Sequence, residues 1–311
     1  MPPAESMKAA RFHGRLDLRV DDVPKPVPKG DEVLIDVEWC GICGTDLHEY
    51  QHGSQQLSSL PDSSPFVQYL HKKTGPIISP TKANPHSLTN EVMPVIFGHE
   101  FCGIVKQVPE GSKLKVGQAV MVDPRLYCGS CKRCQLPATS ACYQWGVRGF
   151  HGGGGGLSET VAIGESMLYV LPESVDLSVA ALIEPLAIGT HAAKASGISD
   201  FSSCSVLILG GGPVGLTLTM VLRSYGTKAI YVSEPTERRR RQNMQLADAV
   251  FNPVEENMVD KCKEMTGGEG IDLVFDCAGV ERAMKDGFAA LKYHGTYINI
   301  AGWVGPVSCS H

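Results

Sequence analysis

Val206-Leu207-Ile208-Leu209-Gly210-Gly211-Gly212-Pro213-Val214-Gly215-Leu216 decides the fold of this chain. Four apolar residues run straight into glycines, and a helical pattern from Leu216 to Tyr225 follows. A buried strand, a tight turn and a helix are the reading. Gly210, Gly212 and Gly215 make G-x-G-x-x-G, with Pro213 and Val214 inside the turn. Such a turn lets a pyrophosphate approach the backbone at the N-terminus of the helix. A second strand, Ala229-Ile230-Tyr231-Val232, ends at Ser233-Glu234. Glu234 lies about 20 residues past the glycines, where an acid binds ribose hydroxyls and repels a 2′-phosphate. NAD is therefore expected rather than NADP. Arg239 belongs to the basic run Arg238 to Arg241, which reads either as a phosphate partner or as a solvated helix face. Further strands are expected at 271–275 and 296–300, separated by helical patterns. Strands alternating with helices give an α/β, doubly wound parallel sheet.

Upstream the composition changes. Residues 1–175 carry short β-branched runs bounded by Gly and Pro, at 33–37, 103–105 and 119–122, and read as a mostly β domain. The dinucleotide domain is assigned to 176–311. Within the β domain, Cys128, Cys131, Cys134 and Cys142 are spaced C-x2-C-x2-C-x7-C. Four thiols at this spacing fit a closed, structural zinc site; an iron–sulfur cluster or unrelated buried thiols are the other readings. A second candidate set comes from separate segments: Cys43 in GICGTDLH and His99-Glu100 in GHE. One thiol, one imidazole and a carboxylate fit an open, catalytic zinc. Glu184, in IEPLAIGTH, is either a further carboxylate for that metal or its water, or a first-turn helix residue ahead of Pro185. Asp46 is placed to orient a ligand, and Thr45 and His48 to pass on a proton. His48 alone would read as a surface histidine. A metal that polarises oxygen beside a hydride carrier implies alcohol–carbonyl redox chemistry.

The chain has 311 residues, 43% of them hydrophobic and 20% charged, with a net charge of −5. Length allows two ordinary domains. The charge gives no reason to expect a nucleic-acid partner. No run of apolar residues is long enough to span a membrane, and MPPAESMKAA has no apolar core, so no secretory leader is expected. Eleven cysteines in such a chain indicate metal ligands and free thiols rather than a disulfide scaffold. A cytoplasmic enzyme acting on a small molecule is expected.

The strings DEVLIDVEWCGICGTDLHEY, GHE, IEPLAIGTHAAKASG, VLILGGGPVGL, VSEPTERR, VFDCAG and YINIAGW resemble the zinc-containing medium-chain alcohol and polyol dehydrogenases, above all their 2,3-butanediol branch. The resemblance implies a GroES-like N-terminal β domain and a Rossmann domain, with the cofactor in the cleft. It implies zinc twice per chain, NAD, and a diol or ketone substrate. Sorbitol, xylitol or arabinitol is the alternative substrate class. By motif it makes Cys43, rather than Cys40, the catalytic thiolate ligand, with His99 beside it. Either Glu100 or Glu184 completes the set, and Thr45 and His48 form the proton relay. The family is homo-oligomeric. Two departures stand out. Residues 52–74 read as an insert, either a surface loop or a lid. The chain also stops soon after an expected fifth strand, where the family continues. A truncated Rossmann domain, doubtful oligomerisation and even an inactive remnant that binds zinc and NAD are the expectations that follow.

Overall fold

The structure is a computed structural model that describes residues 5–53, 79–136 and 138–302. It divides into two compact units, Met1–Glu184 and Pro185–His311. The insert expected at 52–74 falls mostly outside the described residues, as does the chain end from 303. Among the described residues, no helix is long and apolar enough to cross a membrane.

The first unit opens with β1 (Ser6–Gly14), β2 (Asp17–Pro24) and β3 (Glu32–Gly41), then helix α1 (Gly44–His52). Next come β4 (Val95–Ile96), β5 (Glu100–Gln107), β6 (Ala119–Val122), β7 (Arg125–Leu126), β8 (Gly146–Val147), β9 (Thr160–Gly164) and β10 (Leu168–Val170). A five-stranded antiparallel sheet has the order β10-β6-β5-β3-β9, and a smaller sheet the order β2-β1-β4. Val33, Ile35, Phe101, Val105, Val120, Val122, Val161 and Ile163 interlock as its core. The expected runs at 33–37, 103–105 and 119–122 all lie in these strands. Helix α2 (Leu177–Ala180) and the start of α3 (Ile183–Ala195) close the unit.

The second unit contains β11 (Ser205–Leu209), α4 (Pro213–Ser224), β12 (Ala229–Ser233), α5 (Glu237–Asn243), β13 (Ala249–Phe251), α6 (Met258–Met265), β14 (Ile271–Asp276), α7 (Glu281–Ala290) and β15 (Leu291–Asn299). Its sheet is wholly parallel, in the order β13-β12-β11-β14-β15. All five residues of central β11 are buried. Val206 and Ile208 enter one apolar cluster, Leu207 and Leu209 another. Alternation of side chains about a strand covered on both faces explains the unbroken apolar run. The sequence reading missed β13, whose three residues give no periodicity, and placed β15 late, because α7 passes directly into it.

Candidate metal and cofactor sites

The antiparallel ladder of β3 and β5 brings two distant segments together. It pairs Cys40 with Phe101 and Gly41 with Glu100. Cys43, just beyond β3, therefore arrives beside His99 and Glu100, and one ligand atom from each of the three lies within 4.8 Å of the others. The approach is close: a methyl group on Gly41 would sit 2.2 Å from Glu100 Oε2. Cys43 is the residue before α1, and its N–H donates to Asp46 Oδ2 at 2.8 Å. Its thiol donates to Thr45 Oγ1 at 3.6 Å. Thr45 and His48 are exposed on α1.

His99 is buried, packed with its ring centre 4.9 Å from that of Phe150. Its Nδ1 faces Asp46 Oδ1 at 3.7 Å, and both atoms are buried without a hydrogen-bond partner. Burial works against the imidazolium, but Asp46 and Cys43 outweigh it and raise the His99 pKa to about 10. Burial also raises the Glu100 carboxyl, against the pull of His99 and Cys43. Glu184 stands outside the cluster of three, in the first turn of α3. Burial, with Glu100 and Asp123 adding and His99 opposing, raises it to about 7. Cys40, by contrast, donates to Gly41 O and is pushed up to about 12 by burial, then by Asp46 and Glu100. It is a packed thiol, not a member of the cluster.

The donor chemistry tests whether these residues suit zinc. Four sulfurs held tetrahedrally at about 2.3 Å from one ion stand about 3.8 Å apart. Cys128–Cys142 and Cys131–Cys134 are each 3.6 Å apart, Cys131–Cys142 3.9 Å and Cys128–Cys134 4.0 Å. These separations are far too long for disulfides and fit a shared tetrahedral ion. Backbone N–H groups of Cys131 and Gln144 donate to Cys128 Sγ and Cys142 Sγ, both at 3.3 Å. The N–H of Tyr143 is the main cause that lowers Cys131 to about 6. At the other site, the orphaned pair of His99 Nδ1 and Asp46 Oδ1 fits an imidazole whose second nitrogen serves a metal.

In the second unit the fingerprint is a built turn. Gly210 has φ 92°, a conformation that favours glycine. A methyl group on Gly215 would stand 1.9 Å from Gly210 O. Gly212 caps α4, with Pro213 and Val214 opening its first turn. Glu234 is buried, and its Oε2 accepts from Gly211 N–H at 2.9 Å and its Oε1 from Thr236 N–H at 2.7 Å. Arg239 Nη1 lies 3.9 Å from Glu234 Oε2. Asn243, fully buried, donates to Gly211 O at 2.9 Å and to Arg239 O at 2.8 Å. Asp276 accepts from Ala278 N–H at 2.8 Å and from the Tyr297 hydroxyl at 2.8 Å. The sequence reading gave neither Asn243 nor Asp276 a role. Asp276 stood in the quoted VFDCAG, whereas nothing local marks Asn243.

Residues 29–173 match the family described as Alcohol dehydrogenase GroES-like domain, and residues 213–310 that described as Zinc-binding dehydrogenase. The chain is 34% identical over 305 residues to an (R,R)-butanediol dehydrogenase of Neisseria gonorrhoeae, covering 97% of this chain and 79% of that protein. The chain belongs to the zinc-containing alcohol dehydrogenase family. It is therefore an oxidoreductase family member, with an alcohol–carbonyl reaction and a nicotinamide cofactor. An (R,R)-butanediol dehydrogenase of Saccharomyces cerevisiae is 35% identical over 320 residues, covering 96% of this chain and 77% of its own length. The crystal structure of 2R,3R-butanediol dehydrogenase from Bacillus subtilis superposes with a TM-score of 0.83 at 32% identity, over 98% of this chain and 80% of that one. The family's GroES-like and Rossmann folds are the two units described above.

Proposed function

We propose that this member interconverts a vicinal secondary diol, such as 2,3-butanediol, and its hydroxyketone, with NAD as the hydride partner and zinc at two sites per chain. The observation that carries the reading is the convergence of Cys43, His99 and Glu100 within 4.8 Å. The likeness to butanediol dehydrogenases supports the substrate class. When bound, zinc supplies Lewis acidity at the substrate hydroxyl and NAD the hydride acceptor.

Each residue then has a task. Cys43 and His99 hold the catalytic ion, with Glu100 as the third ligand. Glu184, raised by burial, lies outside the trio and is assigned to the site's water rather than to direct ligation. Asp46 turns Nδ1 of His99 toward itself, which leaves Nε2 to ligate. Thr45, beside the Cys43 thiol, takes the substrate proton, and His48 one helical turn on carries it to solvent. Cys128, Cys131, Cys134 and Cys142 hold the second ion and fix their loop. Gly210, Gly212, Pro213, Val214 and Gly215 seat the pyrophosphate against α4. Glu234 receives the ribose hydroxyls with the lone pairs its two backbone donors leave free, and Arg239 flanks it.

Zinc content by elemental analysis, with NADH formation on (R,R)-2,3-butanediol, xylitol and sorbitol, tests this. Two zincs per chain and faster turnover of the butanediol with NAD than with NADP are expected. Turnover of the polyols alone, or a preference for NADP, would overturn the substrate or the cofactor assignment.

A further inference from the structure

Helix α1 carries a histidine pair of which the proposed reaction uses only His48. His48-Glu49-Tyr50-Gln51-His52 places two histidines at i and i+4 on one helical face. Both are exposed, their ring centres are 5.9 Å apart, and the rings are inclined by only 25°. The pattern H-E-x-x-H on a helix is the zinc-binding arrangement of metallopeptidases, where the glutamate is the general base. That chemistry is absent here, because Glu49 turns inward. It is 8% exposed and accepts the N–H of Ser79 at 2.9 Å. What remains on the surface is a clamp of two imidazoles.

We propose that His48 and His52 form a surface site for a divalent transition cation of the Ni2+, Cu2+ and Zn2+ class, separate from the two zinc sites described above. The helix end holds the pair in register. Arg15 Nε donates to Gln51 O at 2.9 Å, Leu16 N–H to Tyr50 O at 2.8 Å, and Gly53 N–H to Glu49 O. Two imidazole nitrogens each about 2.0–2.1 Å from one ion put their ring centres roughly 5 Å apart. Side-chain rotation of exposed histidines closes the remaining gap of about 1 Å without moving the backbone. Neutral imidazoles select borderline cations over Mg2+ or Ca2+, and water fills the other positions. The site has a consequence that rests on the role given to His48 above. A cation held there takes the nitrogen that would carry the proton, so excess cation slows turnover.

The test uses the full zinc-loaded chain, with zinc content verified, titrated with Ni2+ by equilibrium dialysis. One Ni2+ per chain is expected beyond the resident zinc. His52→Gln and His48→Gln should each weaken its binding by about 10-fold or more, since even outer partners of metal ligands act on a 10–100-fold scale. Equal Ni2+ uptake by wild type and both variants overturns the site, as does uptake matched by zinc release. Rates with and without Ni2+ separate the two readings. Loss of Ni2+ sensitivity in His52→Gln supports both. Histidine-dependent binding with no effect on the wild-type rate leaves the cation site standing and removes His48 from the proton path.

Discussion

Replacing Asp46 with Asn changes one atom of a buried carboxylate that faces two donors, one at each oxygen. Asp46 is 4% exposed and His99 7%. The carboxylate accepts from Cys43 N–H at 2.8 Å through Oδ2 and offers Oδ1 to His99 Nδ1 at 3.7 Å. A carboxamide has one acceptor oxygen. If it serves Cys43, its NH2 points at the His99 Nδ1–H; if it serves His99, the NH2 points at the Cys43 N–H. One donor is thus left facing another, whichever way the amide turns. Losing the partner that orients a metal-bound imidazole costs about 10–100-fold in metal affinity, which is about 1.4–2.8 kcal/mol at 1.4 kcal/mol per tenfold. Zinc at the Cys43 site should therefore bind about 10–100-fold more weakly in Asp46→Asn, and turnover at limiting zinc should fall in parallel. Chelator competition followed by elemental analysis measures this, with the four-cysteine zinc as internal control. Helix content should be unchanged, because the amide can still cap α1. Zinc released from both forms at the same chelator concentration would refute the orienting role.

Three further outcomes are expected. Cys131→Ser removes one corner of the sulfur tetrahedron, so the variant should lose that zinc to a chelator at a concentration about 100-fold lower or less, beyond the effect of outer-shell changes; full retention would show that the four thiols do not share an ion. Gly215→Ala drives a methyl into the Gly210 carbonyl, 1.9 Å away, and should lower stability by about 1–3 kcal/mol together with NADH affinity by fluorescence titration; unchanged binding would mean the turn yields. His86 is buried, and burial, with His151 adding, depresses its pKa. The unfolded chain, with an ordinary histidine near pH 6.5, binds that proton more readily. The residue's stability contribution is thus full above about pH 6.5 and is lost as pH falls below it. Urea midpoints should show a shallower acid slope in His86→Gln than in wild type, and identical slopes would sink the assignment.

Much of this was legible because the decisive signals are local. The run Val206 to Leu209 is apolar at every position since β11 is covered on both faces, and the glycines that follow are required by one turn. The four cysteines lie within fifteen positions of chain, so their spacing alone suggests a shared ion. The Cys43 set is different, since no local pattern joins Cys43 to His99. That junction is made by strand register, Gly41 opposite Glu100; residue types alone could only suggest the set, and the choice of Cys43 over Cys40 came from the family resemblance. The same register brings Glu100 into the cluster, whereas Glu184 lies on α3, whose position that register does not set. Asn243 was invisible for a related reason. Its work is done by a side chain reaching from α5 back to Gly211 O, and an asparagine at the end of a basic helix carries no sign of that.

The bonds that Glu234 makes have a consequence for binding rate. With Gly211 N–H and Thr236 N–H both tied to one carboxylate, and Gly211 O tied to Asn243, the glycine turn is immobilised by its own chain. Glycine-rich segments lose more conformational freedom on ordering than any others. Here that loss is met once, during folding, and is not repeated at each encounter with a nucleotide. Cofactor exchange can then proceed as docking onto a rigid seat, and a substitution that frees Gly211 should slow association even where the final contacts survive.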